Sequence, residues 1–112
     1  MSANELYKKA DALKDDGKYV EAIETLHEIL ATEETHVLSH LALAVLYGKV
    51  NKHDKAVEHG EKACEVDPSD PFNFTAMSVT YQRAWQGTQQ QEFIQKAEDA
   101  MAQAHALEAQ AG

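Results

Sequence analysis

Displaced by 34 residues, the sequence falls back into register with itself. Ala10, Ala44 and Ser78 superpose, as do Leu13, Tyr47 and Tyr81, then Leu6, His40 and Phe74, and finally Ala22 with Ala56. Small residues recur where two helices must approach closely. Large ones recur nearby, where they fill the gap between neighbours. A period of this length excludes most architectures. It requires supersecondary units that cannot bury their apolar faces alone and must therefore stack.

The chain alternates between helical patterns and short breaks. Ser2 with Glu5 three residues later reads as a capping box that opens a helix over Ala3–Asp15. Asp15-Asp16-Gly17-Lys18 ends it. Tyr19, Ala22, Ile23, Leu26, Ile29 and Leu30 then recur at helical spacing. After Thr32-Glu33-Glu34-Thr35 comes a third helix, apolar around most of its circumference from Val37 to Tyr47, as a central element should be. Gly48 to Lys52 leads into a fourth, through Ala56, Val57, Ala63, Cys64 and Val66. Asp67-Pro68-Ser69-Asp70-Pro71 is the strongest punctuation. Asp70 suits an N-cap, and Pro71 suits a first helical position, where no amide hydrogen is needed. The fifth helix carries Phe72, Phe74, Met77, Val79, Tyr81 and Trp85, and Gln86-Gly87-Thr88 is expected to break it. A long sixth helix places Phe93, Ile94, Ala97, Met101, Ala104 and Leu107 on one side. No segment alternates with period two, so no strand is expected.

Ten Lys and Arg face nineteen Asp and Glu, a net charge of −9. Nucleic acid needs a basic footprint to neutralise phosphates, and an anionic membrane surface repels this balance, so both are excluded as partners. A neutral to basic polypeptide remains the natural partner, although solubility alone also accounts for the charge. Cys64 is the only cysteine, so no internal disulfide forms. The stretch Met1–Ala10 has Asn4, Glu5, Lys8 and Lys9 where a signal peptide would be apolar. No apolar run approaches the roughly 20 residues that span a bilayer. A cytoplasmic setting is the expectation.

At the repeating positions the sequence resembles the tetratricopeptide repeat family. The second repeat matches its pattern through Leu43, Ala44, Tyr47, Ala56, Ala63 and Pro68. The first matches through Leu6, Ala10, Leu13, Gly17, Tyr19, Ala22 and Leu26, with Glu34 where Pro is usual. The third begins with Phe74, Met77, Ser78 and Tyr81, but Ala97, its second-helix alanine, lies about seven residues late. The resemblance implies an all-α fold, a right-handed superhelical stack of about three antiparallel helix pairs. It implies one domain over residues 1–112, with repeats near 3–36, 37–70 and 71–109 and the last pair lengthened as a cap. Gly60 stands where a bulky side chain is usual. Phe93 or Trp85 is expected to fill the space, unless it stays open.

In this family the first helices of the pairs line a concave groove that binds an extended peptide or a partner helix. By register the resemblance assigns Asn4, Tyr7, Asp11 and Lys14 to that face, then Leu38, Leu41, Ala42 and Val45, then Phe72, Thr75, Ala76, Val79 and Gln82. Either this groove is open or the sixth helix folds back into it. Repeat co-chaperones that hold a chaperone's C-terminal carboxylate use Lys, Asn and Arg side chains at positions matching Tyr7, Asp11, Ala42, Phe72 and Ala76. That clamp is not expected here. The resulting expectation is an adaptor or scaffold that binds a neutral to basic peptide or helix. Self-assembly into a homo-oligomer is the rival, and a metal-responsive regulator is the third reading. The third rests on His36 and His40, four residues apart with Glu33 nearby. Two ligands at helical spacing are a weak pattern, and a core or edge histidine is the better reading of His40, so no metal or cofactor is expected. Cys64 has His59 five positions away, poorly placed to act as its base, and reads as a small buried thiol. With no phosphate loop and no nucleophile elbow, the chain is not expected to be an enzyme.

Overall fold

The structure, a computed structural model, describes residues 1–111. Its helices are α1 (Ala3–Asp15), α2 (Tyr19–Thr32), α3 (Val37–Lys49), α4 (His53–Val66), α5 (Pro71–Thr88) and α6 (Glu92–Ala111), and no strand occurs among the described residues. The capping box forms: the Glu5 amide donates to Ser2 Oγ at 3.2 Å, and the Ser2 amide donates back to Glu5 Oε1 at 3.3 Å. At α5, the Asp70 carboxylate accepts from the Phe72 amide at 2.9 Å with Pro71 opening the helix.

The repeat is written into the backbone as well as the side chains. The Lys18 amide bonds the Leu13 carbonyl and the Gly17 amide that of Lys14, which is the Schellman arrangement. Thirty-four residues later Lys52 bonds Tyr47 and Asn51 bonds Gly48 in the same way. Both turns need a left-handed residue, taken by Gly17 at φ 77° and by Asn51 at φ 62°. Asn reaches this region more readily than most side chains, so the second turn survives without glycine.

The third turn differs from the sequence expectation. Gln86-Gly87-Thr88 does not break α5, which runs on to Thr88 and ends at Gln89 in the left-handed region. Gly87 stays helical for a packing reason. A Cβ there would collide with Nε2 of His53, so the missing side chain lets the α4 ring lie against α5. With 18 residues against 13 in α1 and α3, α5 accounts for most of the late position of Ala97.

The widest contacts lie between α1 and α2, α3 and α4, and α5 and α6, and the pairs are joined by α2 against α3 and α4 against α5. Two apolar clusters result. The first gathers Leu6, Ile23, Leu26, Ile29, Leu43, Leu46 and Tyr47, and the second gathers Val57, Met77, Tyr81, Ala84, Phe93, Ala97 and Ala100. Neither Phe93 nor Trp85 fills the space at Gly60. The Met77 side chain does, with Sδ 2.6 Å from where a Cβ would stand. An unbranched thioether bends into a gap left by a missing side chain, as a flat ring cannot.

Candidate functional site

α1, α3 and α5 enclose a concave cavity of about 250 Å³. Nine of the thirteen residues expected at the groove line it: Tyr7, Asp11, Lys14, Leu38, Leu41, Ala42, Val45, Phe72 and Ala76. Ala10, Leu26 and Leu46 form the floor. Thr75 and Val79 do not line it. Thr75 lies about 100° round α5 from Ala76, and its hydroxyl donates back to the Pro71 carbonyl at 3.2 Å. Val79 is 38% exposed and stands outside the lining. Asn4 lies outside the lining as well, and Gln82 faces a different cavity.

The sixth helix does not cover this face. It packs on α5 and contributes no residue to the cavity wall. Leu38 is 53% exposed and Phe72 61%, above half-buried Leu41, Ala42 and Val45. One rim is polar: Lys14 Nζ lies 3.1 Å from Asp11 Oδ1, and the hydrogen bond to Asp11 raises the Lys14 pKa. An exposed pair of this kind adds little stability. It does place opposite charges beside an apolar floor.

His36 and His40 have separate roles, and His40 is the core histidine that the sequence favoured. His36 is the N-cap of α3, its Nδ1 accepting from the Ser39 amide at 3.2 Å. His40 is buried and turns away from it toward α4, with Nδ1 3.0 Å from His59 Nδ1. His36 and His40 therefore do not converge on a common point. Among the described residues no group of three or more His, Cys, Asp or Glu side chains converges as metal ligands. His40 Nε2 meets the Glu34 carbonyl at 2.8 Å, so that nitrogen carries the proton and His40 Nδ1 accepts one from His59. His27 from α2 stands edge-on to His59 at 5.6 Å, and Tyr47 stacks on the His59 ring at the same distance. Nothing in the spacing of these residues pointed to the histidine trio, because its members come from three helices.

Two of these rings, His59 and His27, resist protonation. Burial, with His40, His27 and Lys55 nearby, pushes the His59 imidazole down to about 4, and burial also lowers His27. The unfolded chain takes up a proton near pH 6.5 that the folded chain refuses until about pH 4, so stability should fall as pH drops through that window. The half-exposed ring is screened by solvent, which limits the loss to on the order of 1–2 kcal/mol. Thermal melts of wild type and His59→Gln between pH 7 and pH 4.5 check this. The variant should show the shallower dependence, and parallel curves would refute the assignment.

Cys64 is half-buried and donates to the Asn73 carbonyl at 3.4 Å, not to a base. Burial and the nearby Glu61 push the thiol up to about 11, which leaves almost no thiolate at neutral pH.

Comparison with solved structures places this architecture. The second TPR of Spaghetti (RPAP3), solved bound to the HSP90 peptide SRMEEVD, superposes with a TM-score of 0.75 at 21% identity, over 94% of this chain and 91% of that one. A crystal structure of MamA superposes at 0.80 with 20% identity, over 97% of this chain and 60% of that one. In sequence, the photosystem I assembly protein Ycf3 of Prochlorococcus marinus is 30% identical over 87 residues, 75% of this chain. The chain spans about half the length of that relative. No family model matches the sequence. The fold is the tetratricopeptide-repeat fold.

Proposed function

For a chain with the tetratricopeptide-repeat fold, we propose an adaptor or scaffold role in which the concave face of α1, α3 and α5 captures a peptide or helix of another protein. The observation that carries this reading is the uncovered apolar floor. Leu38 and Phe72 stand exposed above Leu41, Ala42 and Val45, and no element among the described residues shields them. Apolar surface gains about 25 cal/mol for each Å² removed from water, so such a floor favours an occupant. The helix pairs at 3–36, 37–70 and 71–109 act as its repeats, with Thr75 and Val79 outside the contact itself.

The ligand is neutral to basic. The peptide held by the RPAP3 repeats is acidic, with two Glu and a final Asp, whereas this chain carries a net charge of −9. Tyr7, Ala42, Phe72 and Ala76 offer no cation to a terminal carboxylate, and Asp11 repels one. A carboxylate clamp is therefore not part of the reading, nor is catalysis, which would need a nucleophile better activated than Cys64. A cytoplasmic setting is part of the proposal. No helix among the described residues is long and apolar enough to cross a membrane.

Leu41→Glu tests the groove. The side chain lies half-buried in the wall with no helix over it, so a carboxylate there stays solvated. Affinity capture from lysate should lose its partner while stability in thermal melts stays within about 1 kcal/mol of wild type. Intact capture with a normal melt puts the interface elsewhere, and a collapsed melt means the groove is closed.

A further inference from the structure

Asp15, Lys49 and Arg83 occupy one position of the 34-residue register, near the ends of the first helices of the three pairs. The first pair is acidic there. The second and third are basic, and Arg83 is the only arginine in the chain. Because α3 and α5 touch, Lys49 and Arg83 line one cavity of about 340 Å³, together with Asn51, His53, Gln86 and Gly87. No carboxylate lines it, in a chain with nineteen Asp and Glu against ten Lys and Arg.

Two cations facing one space without a counter-ion repel each other. Lys49 Nζ lies over the Tyr19 ring, 5.6 Å from its centre, and among the described residues neither Lys49 nor Arg83 makes a salt bridge. His53, the first residue of α4, is wedged into the space that Gly87 leaves on α5. Its Nδ1 is buried and has no hydrogen-bond partner among the described residues. A cleft walled by one sign of charge concentrates the opposite ion, even on a protein whose net charge is negative.

The donors select the ion. Arg83 offers a planar fork that grips two oxygens at once, and Lys49 adds a point charge from a second helix. The side-chain amides of Asn51 and Gln86 add neutral donors at the same cavity. A carboxylate has one charge and two coplanar oxygens, which Arg83 alone satisfies. A phosphate monoester carries about −1.5 to −2 charges, with three oxygens pointing in different directions, and so matches cations on two walls. We propose that this cavity binds a phosphate monoester. Val45 lines both this cavity and the concave groove. The phosphate therefore belongs either to a free compound or to a phosphorylated residue of a groove-bound peptide. The site stands without the groove reading, and only the second source rests on it.

The test is a backbone-amide NMR titration of the full chain with sodium phosphate, sodium acetate and sodium chloride at matched ionic strength. Phosphate should give saturable shifts at Gly48, Lys49, Arg83 and Gly87, acetate should bind at least about ten-fold more weakly, and chloride should give no saturable shift. Arg83→Gln and Lys49→Gln should each weaken phosphate by at least about ten-fold. Lys8→Gln removes the same charge from α1 and should change nothing. All three side chains are exposed, so the variants should melt like wild type. Equal affinity for acetate, the same shifts with chloride, no loss from Arg83→Gln, or an equal loss from Lys8→Gln would overturn the proposal. Leu41→Glu should leave the inorganic phosphate titration unchanged, which separates this site from the groove. A second titration uses a short peptide with a central phosphoserine and leucines on both sides, so that either chain direction reaches the groove. Tighter binding than inorganic phosphate, lost in Leu41→Glu, supports the site with a peptide as its source. The affinity of inorganic phosphate in both proteins supports the site with a free compound as its source.

Discussion

Deletion of residues 91–112 is expected to convert the chain from a cooperatively folded protein into an aggregating, partly helical one. α5 and α6 share the most extensive contact in the molecule. Removing α6 bares Met77, Tyr81 and Ala84, which are 3%, 8% and 0% exposed in the intact fold. It also takes away the Ala97 carbonyl, which accepts the buried Ser78 hydroxyl at 2.9 Å. A hydroxyl left without a partner in a half-apolar setting costs about 1–3 kcal/mol on its own. An apolar stripe newly exposed along one helix is the kind of patch that drives association. Circular dichroism should show a helicity loss larger than α6 itself accounts for, and size exclusion should show aggregates. A soluble, monomeric truncation that melts like the parent would mean that α5 is held by α4 alone.

Leu43→Ala is expected to destabilise the fold by about 2–5 kcal/mol. Leu43 is fully buried at the centre of the first cluster, where α3 meets α2, and its removal leaves a hole that neighbours from several helices must relax to fill. Since domains of this size are stable by roughly 5–15 kcal/mol, the loss is a large share of the total. The two clusters permit a sharper reading. Trp85 belongs to the second cluster, packed against it from α5, and is far from the substitution in sequence. If the three pairs unfold as one unit, Trp85 fluorescence and far-ultraviolet circular dichroism should shift together in denaturant titrations. A shift under about 0.5 kcal/mol would place Leu43 outside the core. Divergent transitions would show that the pairs melt separately.

Periodicity and local chemistry determined the helices, their pairing and most of the groove. These rest on short-range rules: Ser2 and Glu5 cap whatever follows them, Asp70 and Pro71 start a helix, and a 34-residue register repeats each side chain's surroundings. Leu38, Leu41, Ala42, Val45 and Phe72 were legible as groove residues through the register of the family that the sequence resembles. Tertiary structure decided what depends on a distant partner. Gly87 looked like a helix end, yet it is a helical position kept open for the His53 ring of another helix. Met77 fills the gap at Gly60, where rings from farther along the chain had been expected. His40 pairs with His59 across two helices and not with His36 on its own, since ring direction follows packing and not spacing.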